Sequence, residues 1–478
     1  MFRGLFITGS TAYDNAYSRQ ASFASGNLLY SGNFILRLEF PEGGEDDRLS
    51  MAGSPPNINE TAGPPVILSR SAHGVSRKQI DESTLKVLYR LHRHGYQAYL
   101  VGGSVRDLLL GRTPKDFDIG TDATPQQVKK LFRNCFLVGR RFRLAHVRFG
   151  RDLVIEVATF RRHPHPDELP DDPEEHSFFV QNQFGTPRED AFRRDFTINA
   201  LFYNIADFSI IDYVGGLKDL ENRQLRVIGD PRVRFEEDPV RMLRALEFSA
   251  RLDFSLDAET LAGISEKAPL ISAAAPARVR EELMELFRHG VGAAVLKRAQ
   301  DLGLMQPMMG GYQPGESTFK LLELLNQSFK KGGHVDESMI LAALFIDRFW
   351  HKCPAQSALP INEVLHSAGH LLTPYCTHFR LAHGLRHQAR EMLVGCYRFT
   401  RGLGHRGQKR FLQNPAAARA FVLFRLWNQA IDGDPEQLEV WQKALHRGPD
   451  QASHAEPQAS RRTHHRPRRR RPKKPATA

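Results

Sequence analysis

The chain has 478 residues, 41% of them hydrophobic, enough to bury a sizeable core in roughly two to four domains and to exclude a wholly disordered protein. Of its net charge of +12, nine Arg or Lys without an acid at residues 461–474 carry +9 and leave +3 elsewhere, so the basicity is largely a tail. Cys135, Cys353, Cys376 and Cys396 show no C-x-x-C or metal-ligand spacing, and the longest apolar runs, such as MILAALFI at 339–346, fall far short of the roughly 20 residues a membrane span needs.

Residues 1–70 are rich in Ser, Gly, Asn and Pro, as in MAGSPPNINETAGPPV, and are expected to be disordered, with Met51 as an alternative start. MFRGLFITGSTAYDNAYS lacks the sustained apolar core and cleavage site of a signal peptide. Further on, Ile80, Val87, Leu88 and Leu91 repeat at helical spacing, Gly95 ends that helix, and Ala98 to Val101 read as a strand. After Gly102 and Gly103, SVRDLLLG predicts a short helix closed by Gly111, and KDFDIG predicts a second strand. TPQQVKKLF predicts a helix with Thr124 as N-cap and Pro125 at its first position. AHVRFG and DLVIEVATF add two strands, and the acidic stretch 163–175 reads as a loop.

From Pro239 helix signals dominate: PVRMLRALEFSARL, PARVREELMELFRHG, AAVLKRAQDLGL, FKLLELLNQSF, ESMILAALFIDRFW and AARAFVLFRLWNQAI, with no fixed repeat. Beyond His446, proline and like-charge repulsion predict a disordered tail.

Asp116 and Asp118, two apart in the predicted KDFDIG strand, would leave one face about 7 Å apart, near enough to share divalent metals. Carboxylate oxygens suit Mg²⁺, which joins one or two carboxylates to substrate phosphates. Two such ions stabilise the attacking and leaving oxygens of a phosphoryl displacement. Gly102 and Gly103 lie between a strand and a helix, where bare backbone can bring N–H groups against phosphate oxygens. No Gly-Lys-Ser/Thr follows, and the G-x-G-x-x-G spacing is missing, so this is neither a P-loop nor a dinucleotide fingerprint. Either half alone also fits an ordinary turn or solvated strand-end charges; both in this order are far more specific.

This Gly-Gly turn followed by Asp-x-Asp resembles the DNA polymerase β-like nucleotidyltransferase superfamily. RRDFTINAL at 193–201, DYVGGLKDL at 212–220 and EEDPVRMLRALEF at 236–248 are similar, in family order, to the class II tRNA nucleotidyltransferases and bacterial poly(A) polymerases. The likeness covers roughly residues 75–290. It implies an α+β fold, a small mixed-sheet nucleotidyltransferase head followed by an all-α neck and body, with disordered termini. The expected divisions are an extension at 1–70, a catalytic head at 71–205, a neck at 206–290, an RNA-binding body at 291–446 and a basic tail at 447–478.

The resemblance also implies roles. Asp116 and Asp118 would bind the catalytic metals, and Gly102, Gly103 and Arg106 the triphosphate. Asp195 matches a third active-site carboxylate, with Glu156 on a neighbouring strand in reserve. Arg194 and Asn199 fall near the nucleotide, although a cap or a buried hydrogen bond also accounts for Asn199. Asp238 and Arg241, three apart on a predicted helix, share a face. The carboxylate can accept from the adenine N6 amino group while the guanidinium donates to a ring nitrogen; an intrahelical salt bridge fits the pair in isolation. Arg244 lies one turn further and matches another nucleotide-side arginine.

Two features separate poly(A) addition from CCA addition. LVGRRFRLAHVRFG at 137–150 resembles the extended motif that distinguishes bacterial poly(A) polymerases from their CCA-adding relatives. The tail residues Arg461, Arg462, Arg466, Arg468, Arg469, Arg470, Arg471, Lys473 and Lys474 can neutralise phosphates and give salt-sensitive RNA affinity. The expectation is a polynucleotide adenylyltransferase that uses Mg²⁺ and ATP to extend RNA 3′ ends and promote RNA turnover. It is expected to be a cytoplasmic monomer without membrane insertion, with RNA-decay proteins as partners. CCA addition is the nearer alternative. A non-catalytic RNA-binding protein is the remoter one, disfavoured because Asp116, Asp118 and Asp195 are all present.

Overall fold

A computed structural model describes residues 63–139, 144–151, 153–164, 168, 183–330 and 336–446. In chain order the first part places β1 (Val66–Leu68), α1 (Glu82–Arg93), β2 (Ala98–Val101), α2 (Gly103–Leu109), β3 (Asp118–Thr121), α3 (Pro125–Leu131), β4 (Cys135–Val138), β5 (Leu144–Phe149), β6 (Leu153–Thr159), α4 (Pro187–Arg193), β7 (Leu201–Asn204) and β8 (Ile210–Asp212). Local chemistry sets these boundaries. The Asp81 carboxylate accepts from the Ser83 and Thr84 amides at the start of α1. Thr124 and Gln127 form a reciprocal capping box on α3, with Pro125 at the first position as expected.

The strands make one sheet in the order β1-β8-β7-β2-β3-β6-β5-β4. Only β3 and β6 run parallel; the other neighbours are antiparallel, which makes the sheet mixed as predicted. On one face of β3 to β6, Cys135, Ala145, Val147, Ile155, Val157 and Ile119 are buried, with α1 and α3 packed nearby. On the other face, Val101, Phe160, Phe202 and Ile211 cluster with Ala191 of α4 and Ile228. That cover leaves Asp118 and Glu156 at the open part of the sheet, paired in register.

Three expectations need correction. The sheet outgrows 71–205 at both ends: the apolar run Val66–Leu68, placed in the extension, pairs with Ile210–Asp212, placed in the neck. The strand predicted over KDFDIG begins only at Asp118, so Asp116 sits in the connection before it. Asp238 is not on the same helix as Arg241: it closes α6 (Pro231–Glu237) with extended backbone, and Pro239 precedes α7 (Val240–Leu252). Pro239 lacks an amide proton, and the residue before a proline disfavours helical backbone, which breaks the segment there.

The remainder is helical, apart from the short parallel pair β9 (Gln224–Leu225) and β10 (Ser255–Leu256). The predicted ESMILAALFIDRFW helix is divided at Phe345 into Glu337–Leu344 and Ile346–Lys352. The Tyr312 hydroxyl donates to the Leu344 carbonyl at 2.7 Å, and the Phe345 ring stacks on Tyr312, so the break is paired and packed. Two 18-residue helices that the sequence pattern did not signal, Ile361–His378 and His383–Thr400, pack on each other. All four cysteines are buried and unpaired. Among the described residues no helix is long and apolar enough to cross a membrane.

The two glycines of DYVGGLKDL are required for different reasons. Gly215 has φ +85°, the left-handed region, whereas a Cβ on Gly216 would lie 2.2 Å from the Thr197 carbonyl oxygen. Gly216 thereby brings α5 (Gly216–Glu221) against the RRDFTINAL segment. Gly216→Ala is expected to cost at least about 1–3 kcal/mol of stability, because backbone must move to admit the methyl group. Urea unfolding of the variant measures this, and an unchanged midpoint would contradict the close approach.

Candidate active site

The turn after β2 is built by Gly102, whose φ of +74° and ψ of −142° suit only glycine. A Cβ on Gly102 would meet Arg194 Nη1 at 3.1 Å, and one on Gly103 would meet Arg106 Nη2 at 3.2 Å. Bare backbone thus lets two guanidinium groups close on the turn. Arg106 is 2% exposed. Its Nε donates to Asp107 Oδ1 at 2.8 Å, and its Nη1 donates to Asn199 Oδ1. Burial pulls the Arg106 pKa down, and the Asp107 carboxylate opposes that pull.

The segment from Arg193 to Asn199 is tied from several directions. Arg194 donates to Asp190 Oδ2 and to the Asn199 carbonyl, at 3.0 and 3.2 Å. Arg234, itself buried, donates through Nη2 to the carbonyls of Arg193 and Arg194, both at 2.8 Å. Asn199 is the buried hydrogen-bonding residue its alternative reading described: besides accepting from Arg106, its Nδ2 donates to Asp195 Oδ1.

Asp195 has little capacity left for a metal. Oδ1 accepts from the Phe196 amide and from Asn199, while Oδ2 accepts from Arg244 Nη2 at 2.7 Å and Nε at 3.0 Å. Burial alone would raise its pKa; Arg244 and the surrounding donors outweigh burial and hold the carboxyl below the ordinary aspartate value. The same pair raises the Arg244 pKa against its own burial. Asp195, expected as a third carboxylate, borders the cleft with both oxygens accepting from protein donors, and it anchors Arg244.

Glu156 has the position that Asp195 lacks. It faces Asp118 directly across the parallel β3–β6 pair. Loss of solvent pushes the Asp118 pKa up first, Glu156 and Asp116 push it further, and Arg194 opposes them. A carboxylate whose pKa is raised by two neighbouring acids at an open sheet end suits a divalent cation. Among the described residues no three His, Cys, Asp or Glu side chains form an enclosing metal cluster. Mg²⁺ does not require one, since substrate phosphates and water normally complete its shell.

Asp118 shares a cleft of about 450 Å³ with Gly102, Gly103, Arg106, Arg194, Asp195, Asn199, Asp238, Arg241 and Arg244. Every predicted nucleotide-side residue therefore lines one cavity; Asp116 and Glu156 stand outside that lining. At the far wall, Asp238 is held by Arg278 through two 2.8 Å hydrogen bonds, and Arg241 by Glu237 at 2.9 Å. The simple salt bridge between Asp238 and Arg241 is not the pairing adopted.

Phe248, Arg251, Arg278 and Glu282 also line the cleft and were missed from sequence. The guanidinium groups of Arg106, Arg244 and Arg251 lie 5.2, 5.3 and 4.9 Å from the Phe248 ring centre. Extending the 241, 244 helical spacing to 248 and 251 would have found two of these residues. Arg278 and Glu282 come from α9 (Pro276–Arg288), which follows α8 (Ala258–Lys267), and carried no such signal. The nine basic tail residues and positions 140–143 of the 137–150 motif lie outside the described residues.

Residues 98–226 match the family described as the Poly A polymerase head domain. Residues 253–313 match a family described as a probable RNA and SrmB-binding site of polymerase A. The chain is 39% identical over 442 residues to the poly(A) polymerase I of Escherichia coli, covering 86% of this chain and 94% of that one. It is 40% identical over 204 residues to the CCA-adding enzyme of Bacillus pumilus, covering 43% and 49%. Among solved structures it resembles the Bacillus stearothermophilus CCA-adding enzyme in complex with CTP, with a TM-score of 0.55, 26% identity, and coverage of 78% and 82%.

Asp195→Asn is expected to weaken the hold on Arg244 and lower stability by about 1–3 kcal/mol near neutral pH. The Asp195 pKa is depressed on folding, so its contribution is complete above the ordinary value of 3.8 and fades as pH falls through the folded value. Unfolding midpoints of the two proteins should therefore converge in acid. A difference that grows in acid would reverse the assignment.

Proposed function

The chain belongs to the bacterial poly(A) polymerase I family, and on that premise we propose that it adds AMP from ATP to RNA 3′ ends without a template. One observation carries this reading: the glycine turn, Asp118 and the Asp238–Arg241–Arg244 wall come from separate sequence blocks and line a single cleft. Gly102, Gly103, Arg106 and Arg194 would receive the triphosphate, with Asn199 positioning Arg106. Asp238 would accept from the adenine N6 amino group while Arg241 donates to the ring. Arg278 on Asp238 and Glu237 on Arg241 aim these groups before the base arrives.

Mg²⁺, held by Asp116 and Asp118 together with the phosphates, would supply charge neutralisation when bound. The RNA 3′-oxygen forms a bond to the α-phosphorus as the α–β bridging bond breaks and pyrophosphate leaves. Glu156, facing Asp118 and held by His146 Nε2 at 3.3 Å, is assigned the third-carboxylate role in place of Asp195 and would take up the proton that the 3′-hydroxyl releases. His146 is the described end of the motif that favoured poly(A) over CCA addition, and its contact with Glu156 supports giving that motif a place beside the reaction.

The helices beyond the head are assigned to holding RNA, beginning within 253–313 rather than only at 291. The basic tail would add sequence-independent affinity. RNA-decay partners and a monomeric, cytoplasmic chain complete the reading. The coverage of the two relatives favours poly(A) addition: 94% of the poly(A) polymerase is matched, against 49% of the CCA-adding enzyme.

The double variant Asp116→Ala, Asp118→Ala should lose AMP incorporation by at least about 10²-fold, a typical cost of removing transition-state electrostatics. Near-normal incorporation would refute the metal pair. Supplied alone, ATP should extend both unstructured RNA and tRNA lacking its end with A-tails, and CTP alone should extend neither; with both nucleotides present, ordered C, C, A addition confined to the tRNA would overturn the choice. Deleting 461–478 should lower RNA affinity and flatten its salt dependence, by about one counterion for each phosphate that the tail neutralises. An unchanged slope would remove the tail from the binding site.

A further inference from the structure

The face of the sheet that carries Asp118 continues past the carboxylates. Glu156 on β6 pairs with His146 on β5, and His146 pairs with Phe136 on β4. Directly paired residues share a face, so Asp118, Glu156, His146 and Phe136 form one row running from the reaction centre to the edge strand. The alternate residues of these strands are the buried ones, which fixes the row as the open side.

An open strand face is normally polar. Here Phe136 is 57% exposed, Val138 44% and Val154 38%. Arg148, one residue pair further along β5 and opposite Val154, is also exposed and makes no ion pair among the described residues. An exposed aromatic ring, two bulky aliphatic side chains and an arginine thus lie beside acids that handle phosphate.

The nucleotide cleft occupies the other side of Asp118, toward the glycine turn and α7. In a phosphoryl displacement the attacking and leaving oxygens lie roughly in line, so the nucleophile approaches opposite the pyrophosphate. The sheet face over β6, β5 and β4 is the surface continuous with that approach. Single strands are held by aromatic rings that stack on bases together with cationic groups that meet the backbone.

We propose that this face is the cradle for the 3′ segment of the RNA substrate, with Phe136 stacking on a base and Arg148 meeting a phosphate. Three strand spacings of ~4.8 Å put Phe136 about 14 Å from Asp118, so it serves a base upstream of the reacting one. This assignment rests on the adenylyltransferase reading and adds to it the path of the acceptor.

The test is steady-state AMP incorporation with an oligoadenylate of about fifteen nucleotides and with a dinucleotide. Phe136→Ala should raise KM for the long RNA by about 5- to 100-fold, the effect of removing one base–aromatic stack, while leaving KM for ATP and the thermal midpoint unchanged. Phe136→Trp should retain the low KM, Phe136→Leu should behave like the alanine variant, and the dinucleotide should be insensitive to all three. An unchanged KM for the long RNA, or rescue by leucine as well as by tryptophan, overturns the cradle while leaving the enzymatic reading standing. Absence of AMP incorporation by the unaltered protein would overturn both.

Discussion

The ion pair between Asp195 and Arg244 joins the loop after α4 to the middle of α7, two segments 49 residues apart, and the cleft depends on it. Two ions drawn from water lose several kcal/mol of hydration each, which their attraction repays only with good geometry and further hydrogen bonds, so the net gain is small. Such a pair is therefore poor evidence of stabilisation and better evidence of placement. Arg244 lies over Phe248 beside two further arginines, an arrangement that like-charge repulsion would scatter without nearby acids. Asp195 and Glu282 supply those acids to Arg244, and Asp107 supplies one to Arg106. The result is a positive wall already organised for a polyanion.

Opposite that wall lies an acidic end. Asp118 and Asp195 are both aspartates bordering one cavity, yet their surroundings drive them apart: Asp118 upward through lost solvent and neighbouring acids, Asp195 downward through Arg244. Carboxylates separated in this way take different tasks. A nucleotide bound as proposed would place its phosphates between arginines and acids, so the charge it brings and the cation it carries would answer two local imbalances together.

Local signals made much of the head legible in the sequence. The Ala98 to Val101 strand, the Gly102 turn and the Thr124 cap are set by residues a few positions apart, and each appears as expected. The extent of the sheet was not local: Val66–Leu68 joins it only by pairing with a segment about 140 residues later. In the helical part, Ile361–His378 contains Pro374 and three histidines, and His383–Thr400 contains two, which dilute the apolar periodicity. The site showed the same division. Motifs marked Asp118, Arg106 and the α7 face, whereas the pairing of Asp195 with Arg244, and the arrival of Arg278 at Asp238, depended on tertiary approach.

Under the proposed reading, in which Asp238 and Arg241 meet the base, the bracing of that wall bears on why one nucleotide is repeated. Glu237 Oε2 accepts from Arg234 at 2.6 Å and from Arg241 at 2.9 Å, while Arg234 also holds the backbone beside Asp195. Asp238 is clamped by both nitrogens of Arg278. An ordered C, C, A series requires the same pair to accept a pyrimidine and then a purine, which calls for re-aiming between additions. Groups fixed by charge-assisted hydrogen bonds to the head loop on one side and to α9 on the other resist re-aiming. That mechanical constraint suits a homopolymer: under the proposed reading each added adenosine would move along the acceptor path and the wall would meet the next ATP unchanged.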